Sequence, residues 1–291
     1  MFKNKQFLTY CLILLITLVA GCKSKFEKLQ ESTNTAKKYQ EAVRLYNKGD
    51  YNKALILFED LMRAYRGRAE AEDLAFYFAN TQYKLKDYAT ARYQFKVFAD
   101  TYPSSPKAEE SRFMTAYCFY LESPNFTLDQ DNTVRAIEAL QLFINLYPKS
   151  EKVAEASTLI NNLRDKLEKK SYANARLYYD IGDYKSAVVA FRNSLRDFPD
   201  TKYAEEMEFL AIKAQQHYAQ NSLETRQEER FNEAINLAGE FEEDHPASSY
   251  LKEVQDIKRR SEQKIIEVKK LLASMMTPQD KEKQTDTTQK N

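Results

Sequence analysis

Apolar residues in this chain recur at i, i+3, i+4 and i+7, the spacing that lines one face of an α-helix. Five such stripes start at an alanine: Ala54/Leu57/Phe58/Leu61, Ala91/Gln94/Phe95/Phe98, Ala136/Ala139/Leu140/Phe143, Ala187/Ala190/Phe191/Ser194 and Ala234/Leu237/Ala238/Phe241. Gln94 and Ser194 are the two imperfect positions. A second signature, A-x-x-x-Y, precedes each stripe: Ala42-Tyr46, Ala79-Tyr83, Ala116-Tyr120, Ala175-Tyr179 and Ala214-Tyr218. Spacing of i, i+4 sets the small and the large residue on one helical face. The alanine lets a neighbouring helix come within about 8–10 Å, and the tyrosine fills the adjoining gap.

Twelve residues after each of the last four stripe alanines stands a proline, at Tyr102-Pro103, Tyr147-Pro148, Phe198-Pro199 and His245-Pro246. Proline ends a helix because it cannot continue the hydrogen-bond ladder. The first copy has Arg66 at that place. A serine or threonine two residues on (Ser105, Ser150, Thr201, Ser248) is expected to cap the next helix. In units one, two and four the connecting turns are "NKGDYNKA", "KLKDYATA" and "DIGDYKSA"; units three and five carry eight extra residues there. The residues G-D-Y-x-x-A-x-x-x-F, with proline eight after the aromatic, resemble the tetratricopeptide repeat. That resemblance implies an all-α fold: a right-handed α-solenoid of five divergent repeats.

The stretch "SEKVAEASTLINNLRDKLEKKSYANARLYYDIG" contains no proline, and no glycine before Gly182. It predicts one helix of about 30 residues, roughly 45 Å long, linking repeats one to three with repeats four and five. After Pro246, "SSYLKEVQDIKRRSEQKIIEVKKLLASMM" predicts a terminal helix closing the open end of the stack, as solenoids require. The expected organisation is residues 1–21 as a leader, 22–34 as a linker, 35–149 as repeats one to three, 150–276 as the long helix, repeats four and five and the capping helix, and 277–291 as a disordered tail without apolar content.

The leader is the other strongly patterned segment. Lys3 and Lys5 precede an apolar run from Phe7 to Ala20, which is shorter than the roughly 20 residues a membrane span needs and suits a secretory signal. The string "LVAGC" resembles the lipobox of bacterial lipoproteins. The resemblance implies cleavage before Cys22 and acyl chains on that cysteine. Several chains hold a protein firmly on a membrane where one binds only marginally. Lys23, rather than aspartate, is compatible with sorting to the outer membrane.

Composition narrows the remaining classes. Glycine occurs five times, where average usage of about 7% would give roughly twenty, so glycine-rich phosphate loops and β-hairpins are excluded. Without Lys3 and Lys5 the chain has 42 basic and 43 acidic residues, a balance that argues against a nucleic-acid partner. With Cys22 acylated, Cys118 in "MTAYCFY" has no disulfide partner and reads as a small buried hydrophobe. His217 adjoins a repeat tyrosine and His245 takes the aromatic place before Pro246. No metal site, no cofactor and no enzymatic activity are expected. The remaining use is binding. The A helices of a repeat stack line a groove for peptides, and in the first two repeats Tyr39, Val43, Tyr46, Phe76, Asn80 and Tyr83 are expected to face it. Flat rings there suit aromatic-rich peptides, with Asn80 as a fixed hydrogen-bonding partner.

Three segments carry a closer likeness: "AYCFYLESPNFTLDQDNTVRAIEALQLFINLYPKSE", "LRDKLEKKSYANARLYYDIGDYKSAVVAF" and "LRDFPDTKYAEE". From Cys22 to about residue 260 the chain resembles the BamD family of lipoproteins. The resemblance implies a lipid-anchored, periplasm-facing component of the outer-membrane β-barrel assembly machinery. Its implied partners are unfolded outer-membrane proteins at the N-terminal repeats, a BamA-like barrel subunit at the C-terminal repeats, and further assembly lipoproteins. Two other roles compete: an adaptor for cell-envelope or peptidoglycan enzymes, and a surface-exposed lipoprotein that collects nutrients.

Overall fold

The structure is a computed structural model that describes residues 24–68 and 70–275. Cys22, the leader and the tail from residue 277 lie outside the described residues. Among the described residues twelve helices follow one another: α1 (Lys25–Gln30), α2 (Thr35–Lys48), α3 (Tyr51–Ala64), α4 (Ala71–Lys84), α5 (Tyr88–Thr101), α6 (Ala108–Glu122), α7 (Asp131–Leu146), α8 (Val153–Asp180), α9 (Tyr184–Asp197), α10 (Ala204–Gln220), α11 (Glu224–Asp244) and α12 (Leu251–Met275). The described residues contain no strand. The fold is an all-α, tetratricopeptide-like helical repeat.

Two compact units are present. The described residues up to Pro124, with Asp131–Ile160, form the first; Asn125–Gln130, with the described residues from Asn161 on, form the second. In the first, α2 to α7 pair in sequence as helix-turn-helix repeats, each helix against the next. Its core holds Ala42, Leu45, Ala54, Leu57, Phe58, Leu61 and Leu74, with a neighbouring cluster of Ala79, Ala91, Phe95 and Cys118. In the second, Ala175, Ala187, Phe191, Met207, Ile212, Ala238, Phe241 and Val254 meet in one cluster. The stripes account for these cores. All four residues of the first stripe are fully buried, and so are the alanines of every A-x-x-x-Y signature, while the signature tyrosines are half-buried. At the i+3 position of the later stripes, Gln94, Ala139, Ala190 and Leu237 are only half-buried, which is why a glutamine is tolerated there.

The turn before each D-Y pair shows why those residues recur. Gly49 and Gly182 close their helices in the left-handed region, at φ of 85° and 81°. Asp50 N–H then donates back to the Leu45 carbonyl at 2.9 Å, the helix-ending bond that such a residue permits. The following aspartate caps the next helix: Asp50, Asp87 and Asp183 accept from the backbone N–H of Lys53, Thr90 and Ser186. In the second repeat the left-handed position is Lys86, at φ 65°, although an L-residue with a side chain is strained there by about 1–2 kcal/mol. In the first repeat Gly67, at φ 81°, redirects the chain where no proline stands.

Two details go beyond the repeat pattern. The hydroxyls after the prolines cap the turn into the following helix: Ser105, Ser150, Thr201 and Ser248 accept from the backbone N–H of Lys107, Lys152, Tyr203 and Tyr250. The three serine hydroxyls also donate to a glutamate in the first turn of the same repeat's opening helix: Ser105 to Glu72 at 2.6 Å, Ser150 to Glu109 at 2.5 Å and Ser248 to Glu205 at 2.6 Å. Each latch fastens the end of a repeat to its own beginning. The two eight-residue insertions also differ from each other. Residues 123–130 form a loop, whose Phe126 and Leu128 carbonyls accept from Lys170 Nζ at 3.3 and 2.7 Å. The second insertion lengthens α11 to 21 residues after a three-residue turn. The long helix α8 spans 28 residues, as its proline-free sequence predicts.

Candidate functional site

Tyr39, Val43 and Tyr46 lie on α2, and Phe76, Asn80 and Tyr83 lie on α4. All six are half-buried. Each triad sits at the same offsets from its repeat alanine: three before, one after and four after. The structure brings the first triad onto one core cluster and Phe76 and Tyr83 onto another. Tyr46 reaches the next repeat, its ring edge-on to Tyr77 with centroids 5.3 Å apart. Tyr83 does the same toward Tyr117 on α6, at 6.4 Å. Phe76 turns toward α5, 5.5 Å from the Phe98 ring, and Lys107 Nζ stands 5.2 Å over its ring. Phe76 is therefore chiefly an inter-helix packing residue. Asn80 spends one amide N–H on the Phe76 carbonyl at 3.0 Å, which fixes the side chain and leaves its oxygen as an acceptor.

A third triad at the same offsets from Ala116 was within reach of the sequence pattern: Phe113, Tyr117 and Tyr120. Their rings stack in series, Phe113 on Tyr117 at 5.8 Å and Tyr117 on Tyr120 at 5.9 Å. Burial is the first cause raising the phenol pKa values of Tyr39, Tyr46, Tyr83 and Tyr117 above the ordinary 10.0. Neighbouring phenols and carboxylates add to it, including Asp73 at Tyr39, Glu110 at Tyr46 and Glu155 at Tyr117. The phenols therefore stay neutral and keep their O–H as donors. The arrangement offers ring faces for stacking beside neutral donors, set against a background of carboxylates.

The other candidate chemistry has structural uses. His217 stacks on Tyr184 with centroids 4.7 Å apart. His245 Nε2 lies 2.6 Å from Glu208. Cys118 is fully buried, and its thiol is pushed up to about 12, mainly by that burial. Among the described residues no three His, Cys, Asp or Glu side chains are grouped to hold a metal ion, and no helix is long and apolar enough to cross a membrane.

Known proteins match along most of this span. A family model described as YfiO, outer membrane lipoprotein, matches residues 31–230, which include both triads. The outer membrane protein assembly factor BamD of Caulobacter vibrioides is 24% identical over 216 residues, covering 73% of this chain and 71% of that protein. A putative BamD of Aquifex aeolicus is 27% identical over 204 residues, covering 69% and 66%. BamD of Neisseria gonorrhoeae is 24% identical over 216 residues, covering 70% and 80%.

Proposed function

The chain belongs to the YfiO family of outer membrane lipoproteins, whose BamD relatives are outer membrane protein assembly factors, and on that premise we propose that it serves this assembly as a non-enzymatic scaffold. Acyl chains on Cys22 hold it at the outer membrane, facing the periplasm. The half-buried strip on α2 and α4 receives unfolded outer-membrane proteins, whose aromatic side chains stack on Tyr46 and Tyr83 while Asn80 and the neutral phenols meet their backbone or terminal carboxylate. The second unit contacts the BamA-like barrel subunit.

The match over residues 31–230 carries this reading, and the open ring faces of the first unit support its client-binding half. Depletion of the protein followed by quantitative proteomics of the outer membrane tests it. The expected outcome is loss of β-barrel proteins from that membrane. Barrel proteins at normal levels would overturn the proposal, and recovery of the protein with cell-wall enzymes alone would point to the adaptor role instead.

A further inference from the structure

The client strip leaves unused a basic surface at the very start of the described chain. Helix α1 opens with a reciprocal cap, Glu27 N–H to Ser24 Oγ at 3.2 Å and Ser24 N–H to Glu27 Oε2 at 2.7 Å. Phe26 and Leu29 pack on the first core cluster and dock α1 against α2 and α3. Between them lies a groove of about 880 Å³ lined by six cations and two carboxylates. Both carboxylates are matched: Arg44 donates to Glu41 at 2.7 and 2.6 Å, and Lys53 Nζ lies 3.1 Å from Asp50. Among the described residues, exposed Lys25, Lys28 and Lys37 are left without a carboxylate partner, while exposed Lys48 stands near Glu41 and Asp50, which Arg44 and Lys53 already pair.

Six cations against two carboxylates leave the groove with a surplus of positive charge that the isolated fold does not use; a polyanion does. Chain position says which. Ser24 stands two residues after Cys22, a spacer of at most about 7 Å, within a Debye length of about 8 Å at physiological salt. We propose that this groove is a headgroup-docking surface, in which Lys25, Lys28, Lys37 and Lys48 hold the phosphates of anionic lipids and orient the first repeat on the membrane. The proposal rests on the reading of Cys22 as the lipid anchor. An acidic peptide would satisfy the same lysines, but it would have to enter a surface that the anchor keeps against headgroups.

The test uses the mature chain carrying Cys22→Ser, so that no acyl chain contributes, sedimented with vesicles of phosphatidylcholine alone or with about one third phosphatidylglycerol. The expected result is at least tenfold stronger binding to the anionic vesicles, lost at high salt, which needs no change to the lysines. Each basic residue near such a surface contributes roughly fivefold. Lys25→Gln/Lys28→Gln should therefore weaken binding by about tenfold or more, with an unchanged thermal melt because both side chains are exposed. Equal binding to both vesicles, or no effect of the lysine changes, would overturn the proposal. So would capture of a polyglutamate peptide by these lysines without vesicle binding. Failure of the anchor reading is seen separately, as a wild-type chain that fractionates away from membranes.

Discussion

At three fixed offsets from the repeat alanine, the two units answer the same positions differently. The first unit places Tyr39, Val43 and Tyr46, then Phe76, Asn80 and Tyr83, then Phe113, Tyr117 and Tyr120 there. Their ring contacts run to other rings, and no side-chain hydrogen bond contributes to the shifted phenols of Tyr46, Tyr83 and Tyr117. In the second unit Tyr179 likewise keeps ring contacts only, to Tyr184 and His217, but other equivalent positions are taken up by the unit's own chain. Tyr172 O–H donates to Glu206 at 2.7 Å, accepts from Arg176 at 2.8 Å, and its ring stacks on Tyr203 at 4.6 Å. In the last repeat Ala211 and Gln215 are buried, Gln215 donates to the Arg230 carbonyl at 2.9 Å, and Arg230 lies over the Tyr218 ring. Helix α10 is covered by α9, α11 and α12 and buries nine of its residues, against three on α2. One repeat pattern thus yields half-buried rings held by other rings in the first unit, and in the second a Tyr172 and a Tyr218 occupied by the chain itself.

The largest effect separating the units should come from Phe209→Ala. Phe209 is buried and stacks on Tyr250 of the α11–α12 connection at 4.3 Å. Its truncation should lower stability by about 3–5 kcal/mol in urea unfolding and leave affinity for an aromatic client peptide within twofold. Tyr46→Ala and Tyr83→Ala should do the converse. Each should weaken client-peptide binding by about tenfold, in the range that aromatic contacts and their burial supply, while circular dichroism reports a folded chain. Unchanged affinity in both would remove the strip from the account. Lys86→Gly should raise stability by about 1 kcal/mol, because it relieves the left-handed strain that Gly49 and Gly182 avoid. The smallest contrast is between Tyr172→Phe and Tyr46→Phe. The first removes a bonded hydroxyl and should cost up to about 1 kcal/mol; the second removes one without a side-chain bond and should be neutral in the same denaturation.

The stripes, the A-x-x-x-Y signatures and the long α8 were legible because helix periodicity and the absence of Pro and Gly are local properties. The Ser latches were not. Ser105 and Glu72 lie 33 residues apart, and a serine two residues after proline announces its forward cap but not its reach back. The insertions were distinguishable in principle. Pro124 and Asn125 favour a loop, whereas "LETRQEER" is rich in helix formers and extends α11. Offsets from the repeat alanine name the face of each helix that could bind. Whether that face stays open depends on chain far away, as where Tyr203 stacks on Tyr172. Cys22 is the one candidate residue on which the described structure is silent, and its role rests on the string "LVAGC".

The measurement that bears most directly on the account is site-specific photo-crosslinking in living cells at equivalent positions of the two units. A photoreactive phenylalanine analogue in place of Tyr46 or Tyr83 should capture unfolded outer-membrane proteins, and the same analogue in place of Tyr172 or Tyr218, which the chain itself covers, should not. Equal capture from all four positions, or none from Tyr46 and Tyr83, would contradict the assignment of client binding to the first unit.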